Sequence, residues 1–175
     1  MSPPLDIGAL YAEHGPFVAR VLERLTGNGP HVDDLLQECF VSAFKSRDKY
    51  NENRASLTTW LYSIAANISK RHHRSRWRFG RLRERVQTLD APPSAPLPDD
   101  DLVRDERARL VHEAMQKLPF KQREVFSLYE LEGLDGTAIS QMLGVPEGTV
   151  WTRLHHARKG FAKLVRQRFS REDRS

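Results

Sequence analysis

"LDGTAISQMLGVPEGTVWTRLHHARKGF", residues 134–161, decides the fold. Asp135 or Thr137 is placed to cap a short helix that turns Ala138, Ile139, Met142 and Leu143 inward. Gly144 supplies a left-handed turn and Pro146 opens the next helix. In that second helix Val150, Leu154, Ala157 and Phe161 share one face at helical spacing. The opposite face carries Trp151, Thr152, His155, His156, Arg158 and Lys159. One stripe packs and the other stays free, which is a helix-turn-helix pattern. Its free groups are hydrogen-bond donors, cations and an aromatic, the types that read base edges and phosphates in a major groove.

Among the chain's 175 residues, hydrophobic types make up 39% and charged types 29%, enough apolar material for packed cores. The net charge is +5 and the pI about 9.6, which suits an anionic partner. Charge is uneven along the chain. Residues 70–85 hold eight Lys/Arg against Glu84, and residues 90–106 hold six Asp/Glu against Arg104. From Arg153 onward there are eight Lys/Arg and two acids.

"APPSAPLP", residues 91–98, places four prolines in eight residues, so neither helix nor central strand is expected there. This reads as an extended tether with one domain on each side. The N-terminal half has three apolar stripes at helical spacing. The first runs from Leu10 through Phe17, Val18, Val21, Leu22 and Leu25 to the break "TGNGP". The second holds Leu35, Leu36, Cys39, Phe40, Ala43 and Phe44, with Asp33 or Asp34 as its cap. The third starts at Leu57 or Thr58 and carries Trp60, Leu61, Ile64, Ala65 and Ile68 into the basic stretch. Beyond the tether, Leu102 to Leu118 and Phe120 to Leu131 give two more helices before the helix-turn-helix. The expected fold is all-α: two small helical domains joined by a flexible Pro/Asp-rich linker.

Several chemistries are set aside. A single cysteine, Cys39, excludes an internal disulfide and suits a reducing cytosol. The adjacent pairs His72-His73 and His155-His156 diverge on a helix, so no metal site is expected. "PDDD" sits among tether prolines rather than in a nuclease-like carboxylate cluster. The opening residues lack a signal-peptide pattern and no stretch approaches a membrane span, so a cytoplasmic protein is expected. No cofactor is expected either.

Taken in order, three motifs resemble the extracytoplasmic-function sigma factors, the two-domain class of the sigma-70 family. They are "VDDLLQECFVSAF", "ASLTTWLYSIAANISKRHHR" and "LPFKQREVFSLYELEGLDGTAISQMLGVPEGTVWTRLHHARKGF", within residues 5–167. The resemblance implies sigma region 2 over 1–88, a linker over 89–101, region 4 over 102–170 and a disordered tail over 171–175. It implies a non-enzymatic subunit that directs core RNA polymerase to promoters and helps melt them. Asp34, Gln37 and Glu38 fall where the family meets the clamp helices of the largest polymerase subunit; region 4 meets the flap. Asn53, Arg54, Trp60, Tyr62, Asn67, Lys70, Arg71 and Arg74 fall where it holds the single-stranded −10 element. Trp60 lies in phase with Leu57, Ile64 and Ile68, a core position. Tyr62 lies off that stripe and is the better stacking face. Thr149, Trp151, Thr152, Arg153, His155, His156 and Arg158 fall on the side that meets the −35 duplex. Trp151 departs from the family, which usually has a polar or basic residue there. An anti-sigma protein is a further implied partner. The reading that competes with this one is a stand-alone helix-turn-helix regulator.

Overall fold

The computed structural model describes residues 6–85 and 101–172, with side chains described for 6–75 and 108–167. The proline tether lies outside the described residues, as do the last three of the chain. All regular structure among the described residues is helical: α1 Ile7–Thr26, α2 His31–Ser46, α3 Leu57–Arg85, α4 Asp101–Lys117, α5 Phe120–Phe126, α6 Gly136–Leu143 and α7 Glu147–Glu172.

The helix ends follow local chemistry. Asp6 caps α1 by accepting from the Gly8 and Ala9 N–H groups, and Gly27 ends it at φ +102°. α2 begins one residue after Pro30 and has no side-chain cap; Asp33 and Asp34 lie within its first turn, where they face the positive end of the dipole instead. Ser56 Oγ accepts from the Thr59 N–H at the start of α3. After Phe126 the chain widens into one π turn, Ser127–Leu131, before Gly133 reverses it at φ +70°. α7 reaches Glu172, past residue 170 where a tail was expected, because no glycine or proline follows Gly160 to break it.

α1, α2 and α3 pack on one another around Val18, Leu22, Leu25, Cys39, Ala43, Leu61 and Ala65. In the other half α5, α6 and α7 enclose Val125, Leu128, Ile139, Val150, Leu154 and Ala157. The two small helical domains expected on either side of the tether are present, and they lie against each other. The buried residues of both halves form one continuous cluster, closed where α1 and α3 meet α4, α5 and α6.

Arg123 explains that closure. Its side chain is 1% exposed, and Nη1 donates to the Leu25 carbonyl at 2.6 Å and to Gln116 Oε1 at 2.8 Å. Nη2 donates to the carbonyls of Gln116 at 2.6 Å and Leu118 at 3.0 Å. These carbonyls sit at the C-terminal ends of α1 and α4, where helices run out of their own N–H partners. One guanidinium thus satisfies both ends and ties the halves together. Burial lowers its pKa to about 10, so it remains charged at neutral pH. Around it Gln116 Nε2 donates to the Arg24 carbonyl at 3.0 Å, and the Asn28 N–H donates to His112 Nε2 at 2.6 Å. Glu132 pairs with Arg20 at 3.2 Å and with Arg24.

Candidate nucleic-acid and polymerase interface

The helix-turn-helix is built as its residues require. Asp135 Oδ1 accepts from the Ala138 N–H at 2.7 Å, so Asp135 rather than Thr137 caps α6. Gly144 takes φ +63°, and the Val145 N–H returns to the Ser140 carbonyl at 3.1 Å. Val150, Leu154 and Ala157 are buried, and Phe161 stacks on Phe126 at 4.9 Å. That fixes the outer face of α7 in space. His155, His156 and Lys159 are exposed on it. Thr152 is exposed too, its hydroxyl bonded back to the Gly148 carbonyl at 2.9 Å, and Thr149 is half-buried.

Three of the residues expected to meet the −35 duplex also make contacts within the chain. Trp151 is 44% exposed, yet its ring meets Tyr129 edge-on at 5.6 Å and covers Gly136. A Cβ at position 136 would come within 2.5 Å of the Trp151 ring, so the indole and the glycine are matched. Arg158 Nε donates to Glu130 at 2.6 Å and its guanidinium lies over Tyr129 at 5.3 Å. That pair raises the Arg158 pKa. Arg153 is half-buried and faces the other half of the molecule rather than the outer stripe.

On the N-terminal half, Asp34, Gln37 and Glu38 lie exposed on α2 beside Val41, 52% exposed, and Phe44, 51% exposed. The Arg47 guanidinium covers the Phe44 ring at 4.1 Å. Glu38 is bonded to Arg71 of α3, which links a residue of the expected polymerase face to one of the expected strand face. Asn53 and Arg54 stand exposed on a turn closed by Asn51, whose side chain accepts from the Asn53 N–H at 2.9 Å. Trp60 is half-buried against Tyr50 at 5.0 Å, and Arg74 is exposed.

Tyr62, Asn67 and Lys70 come together along one side of α3, around an open cavity of about 360 Å³ shared with Lys121, Glu124 and Arg153 of the other half. Tyr62 is 2% exposed, and its hydroxyl points at Glu124 Oε1, 3.5 Å away. Lys70 Nζ lies 3.7 Å from the same oxygen and 5.5 Å from the centre of the Phe120 ring. Burial pushes the Glu124 carboxyl up, with Lys70 and then Arg153 opposing it. Burial, then Glu124, pushes the Tyr62 phenol up. In this arrangement Tyr62 therefore offers no free ring face.

Arg123, Glu124, Tyr129, Glu130 and Gly136 were not singled out from the sequence. One signal was present: Glu124 stands four residues from Phe120 and four from Leu128, a charge within an apolar stripe. Among the described residues no cluster could hold a metal ion, and no helix is long and apolar enough to cross a membrane.

Comparison with known proteins agrees with this layout. The family model "Sigma-70 region 2" matches residues 10–79, and "Sigma-70, region 4" matches residues 108–159. The ECF RNA polymerase sigma factor SigW of Bacillus subtilis is 31% identical over 92% of this chain and 88% of its own length. The RNA polymerase sigma factor CarQ of Myxococcus xanthus is 33% identical over 89% and 84%. The fold is also that of the sigma factor RpoE of Bartonella quintana, solved in complex with the anti-sigma factor NepR. There the TM-score is 0.67 at 21% identity, covering 91% of this chain and 96% of that one. A chain with both sigma regions in this order, matched nearly end to end by such relatives, belongs to the extracytoplasmic-function sigma factors, the subunits that direct bacterial core RNA polymerase to promoters and assist their melting.

Proposed function

We propose that the chain acts as a non-enzymatic specificity subunit in the cytoplasm, on the nucleoid with polymerase, through three separate faces. The exposed α2 face of Asp34, Gln37 and Glu38, with Val41 and Phe44 beside it, docks on the clamp helices of the largest polymerase subunit. Its acids set association rate and register while the apolar pair supplies buried area. Asn53 and Arg54 on their turn, with Asn67, Lys70, Arg71 and Arg74 along α3, take the non-template strand of the −10 element. Tyr62 joins them once region 4 has moved away, and Trp60 holds the start of α3 against Tyr50. The outer face of α7 enters the −35 duplex with Thr152, His155 and His156 at base edges and Thr149 toward phosphate. Region 4 also meets the polymerase flap. Residues 1–88 and 102–170 are the two working domains, joined by 89–101.

The observation that carries this reading is the division of α7: an inner stripe in which Val150, Leu154 and Ala157 are buried, and an outer stripe on which His155, His156 and Lys159 are exposed among the described residues. A stand-alone regulator would use the same helix, but the matched region 2 gives the N-terminal half a polymerase-binding role instead. Melting needs no bond chemistry. Each stacked base contributes about 1–3 kcal/mol, against about 1.4 kcal/mol for opening a duplex step. An anti-sigma protein, the kind of partner seen on RpoE, is proposed here as well.

Two paired variants test the assignment in run-off transcription with core polymerase. Thr152→Ala/His155→Ala should lose most of the advantage of an intact −35 sequence, roughly tenfold or more. Asn67→Ala/Lys70→Ala should still form the closed complex while the permanganate-reactive thymines of the opened −10 disappear. Variants that transcribe and open like the parent would refute these roles.

A further inference from the structure

The side of α3 assigned to the −10 strand is covered, and what covers it is an acid. Tyr62 is 2% exposed, Ala66 is 4% exposed, and Asn67 and Lys70 line a cavity whose opposite wall is α5, α6 and α7. Glu124, itself buried, brings one oxygen 3.5 Å from the Tyr62 hydroxyl and 3.7 Å from Lys70 Nζ. A phenol donor and an ammonium converging on one anionic oxygen is the pattern by which a nucleic-acid backbone is held.

We propose that region 4 is an internal ligand of region 2: the Glu124 carboxylate occupies the place on Tyr62 and Lys70 that a strand phosphate takes. The free chain is then closed against single-stranded DNA, and α5 and α6 must leave before the −10 strand can enter. This rests on the assignment of α3 to that strand. The closure is built to be reversible. Arg123 and the Arg20–Glu132–Arg24 pairing hold the halves together. Burying the Glu124 carboxylate opposes them, because desolvation outweighs what Lys70 and Arg153 return.

The test compares two charge reversals in the full-length chain. Glu124→Lys sets a cation against Lys70, Lys121 and Arg153 and forces the seam open. Glu13→Lys makes the same change of net charge at a carboxylate that is 77% exposed and pairs with its neighbour His14. Donor and acceptor dyes on cysteines replacing Lys49 and Lys163, both exposed, report the distance between the halves; buried Cys39 stays unlabelled. The DNA probe is the −10 non-template strand of a promoter recovered with the wild-type holoenzyme. The parent and Glu13→Lys should show one high-transfer state that is lost in the promoter-bound holoenzyme. Glu124→Lys should lack that state and bind the strand roughly tenfold more tightly than Glu13→Lys at equal salt. Equal strand affinity for the two variants, or unchanged transfer between free chain and holoenzyme, overturns the proposal. Should circular dichroism show Glu124→Lys unfolded, Glu132→Lys breaks the other end of the seam and is judged against the same control. Absence of promoter-specific transcripts from the wild-type holoenzyme would sink the functional reading instead, while the transfer measurement on the free chains still judges the closure.

Discussion

Replacing Arg123 by methionine keeps the aliphatic stem and removes the guanidinium that joins the ends of α1 and α4. Four acceptors lose a donor: the carbonyls of Leu25, Gln116 and Leu118 and the side chain of Gln116. The contacts to Gln116 are partly buried, so water can replace the donor there. Those to the Leu25 and Leu118 carbonyls are buried. Each buried carbonyl left unsatisfied costs about 1–3 kcal/mol, giving about 2–6 kcal/mol for the pair. Relief from burying a charge offsets part of this, so about 3 kcal/mol is the expected loss. For a chain of this size that lowers the melting temperature by about 6–12 °C. Urea unfolding followed by circular dichroism reads the change directly. Arg123→Lys retains the charge but not the planar fork that reaches both helix ends, and should fall between the two. A methionine variant within about 0.5 kcal/mol of the parent would refute the stapling role.

Other outcomes follow from single contacts. Gly136→Ala drives a methyl into the Trp151 ring; it should destabilise by about 1–3 kcal/mol and shift tryptophan emission. Trp151→Ala should remove most of that penalty in a double-mutant cycle, and additive costs would contradict the match. Cys39 is buried, and its pKa is pushed up to about 12 by burial first, with Glu38 raising and Arg71 lowering it. It should therefore resist iodoacetamide at pH 8 in the native chain and react only after denaturation; rapid native labelling would contradict this. His112 is held below its ordinary value of 6.5 by burial, with Glu23 raising and Arg123 lowering it. The unfolded chain takes up that proton first as pH falls, so stability is complete above about pH 6.5 and declines toward acid. His112→Gln should flatten this part of a plot of urea midpoint against pH, and an unchanged slope would count against it.

The helix-turn-helix was legible because each of its signals is local. Asp135, Gly144 and Pro146 fix cap, turn and restart within a dozen residues, and Val150, Leu154 and Ala157 mark the buried stripe. The start of α2 was less so. Asp33 and Asp34 look like caps by residue type, but the geometry at Pro30 lets the helix begin earlier, and they serve the dipole alone. The placement of Tyr62 could not be read at all from its own helix. It lies off the apolar stripe of α3, yet region 4 covers it, and that contact joins residues 62 apart in sequence. Arg123 and Glu124 look in sequence like solvent charges in "KQRE", because their partners are carbonyls and side chains on other helices. Trp151 and Arg158 read as DNA contacts by position, and Tyr129, Glu130 and Gly136, which engage them, are again distant in sequence. Periodicity reports which face of a helix is buried; it does not report which partner buries it.

Promoter selection is tested most directly by transcription with core polymerase on a pool of genomic fragments, with and without the purified chain, with the RNA 5′ ends sequenced. Discrete start sites that appear only with the chain, each preceded by a common −10 and −35 pair, are the predicted result. Duplex binding by the chain alone, with identical 5′ ends in both reactions, would contradict it.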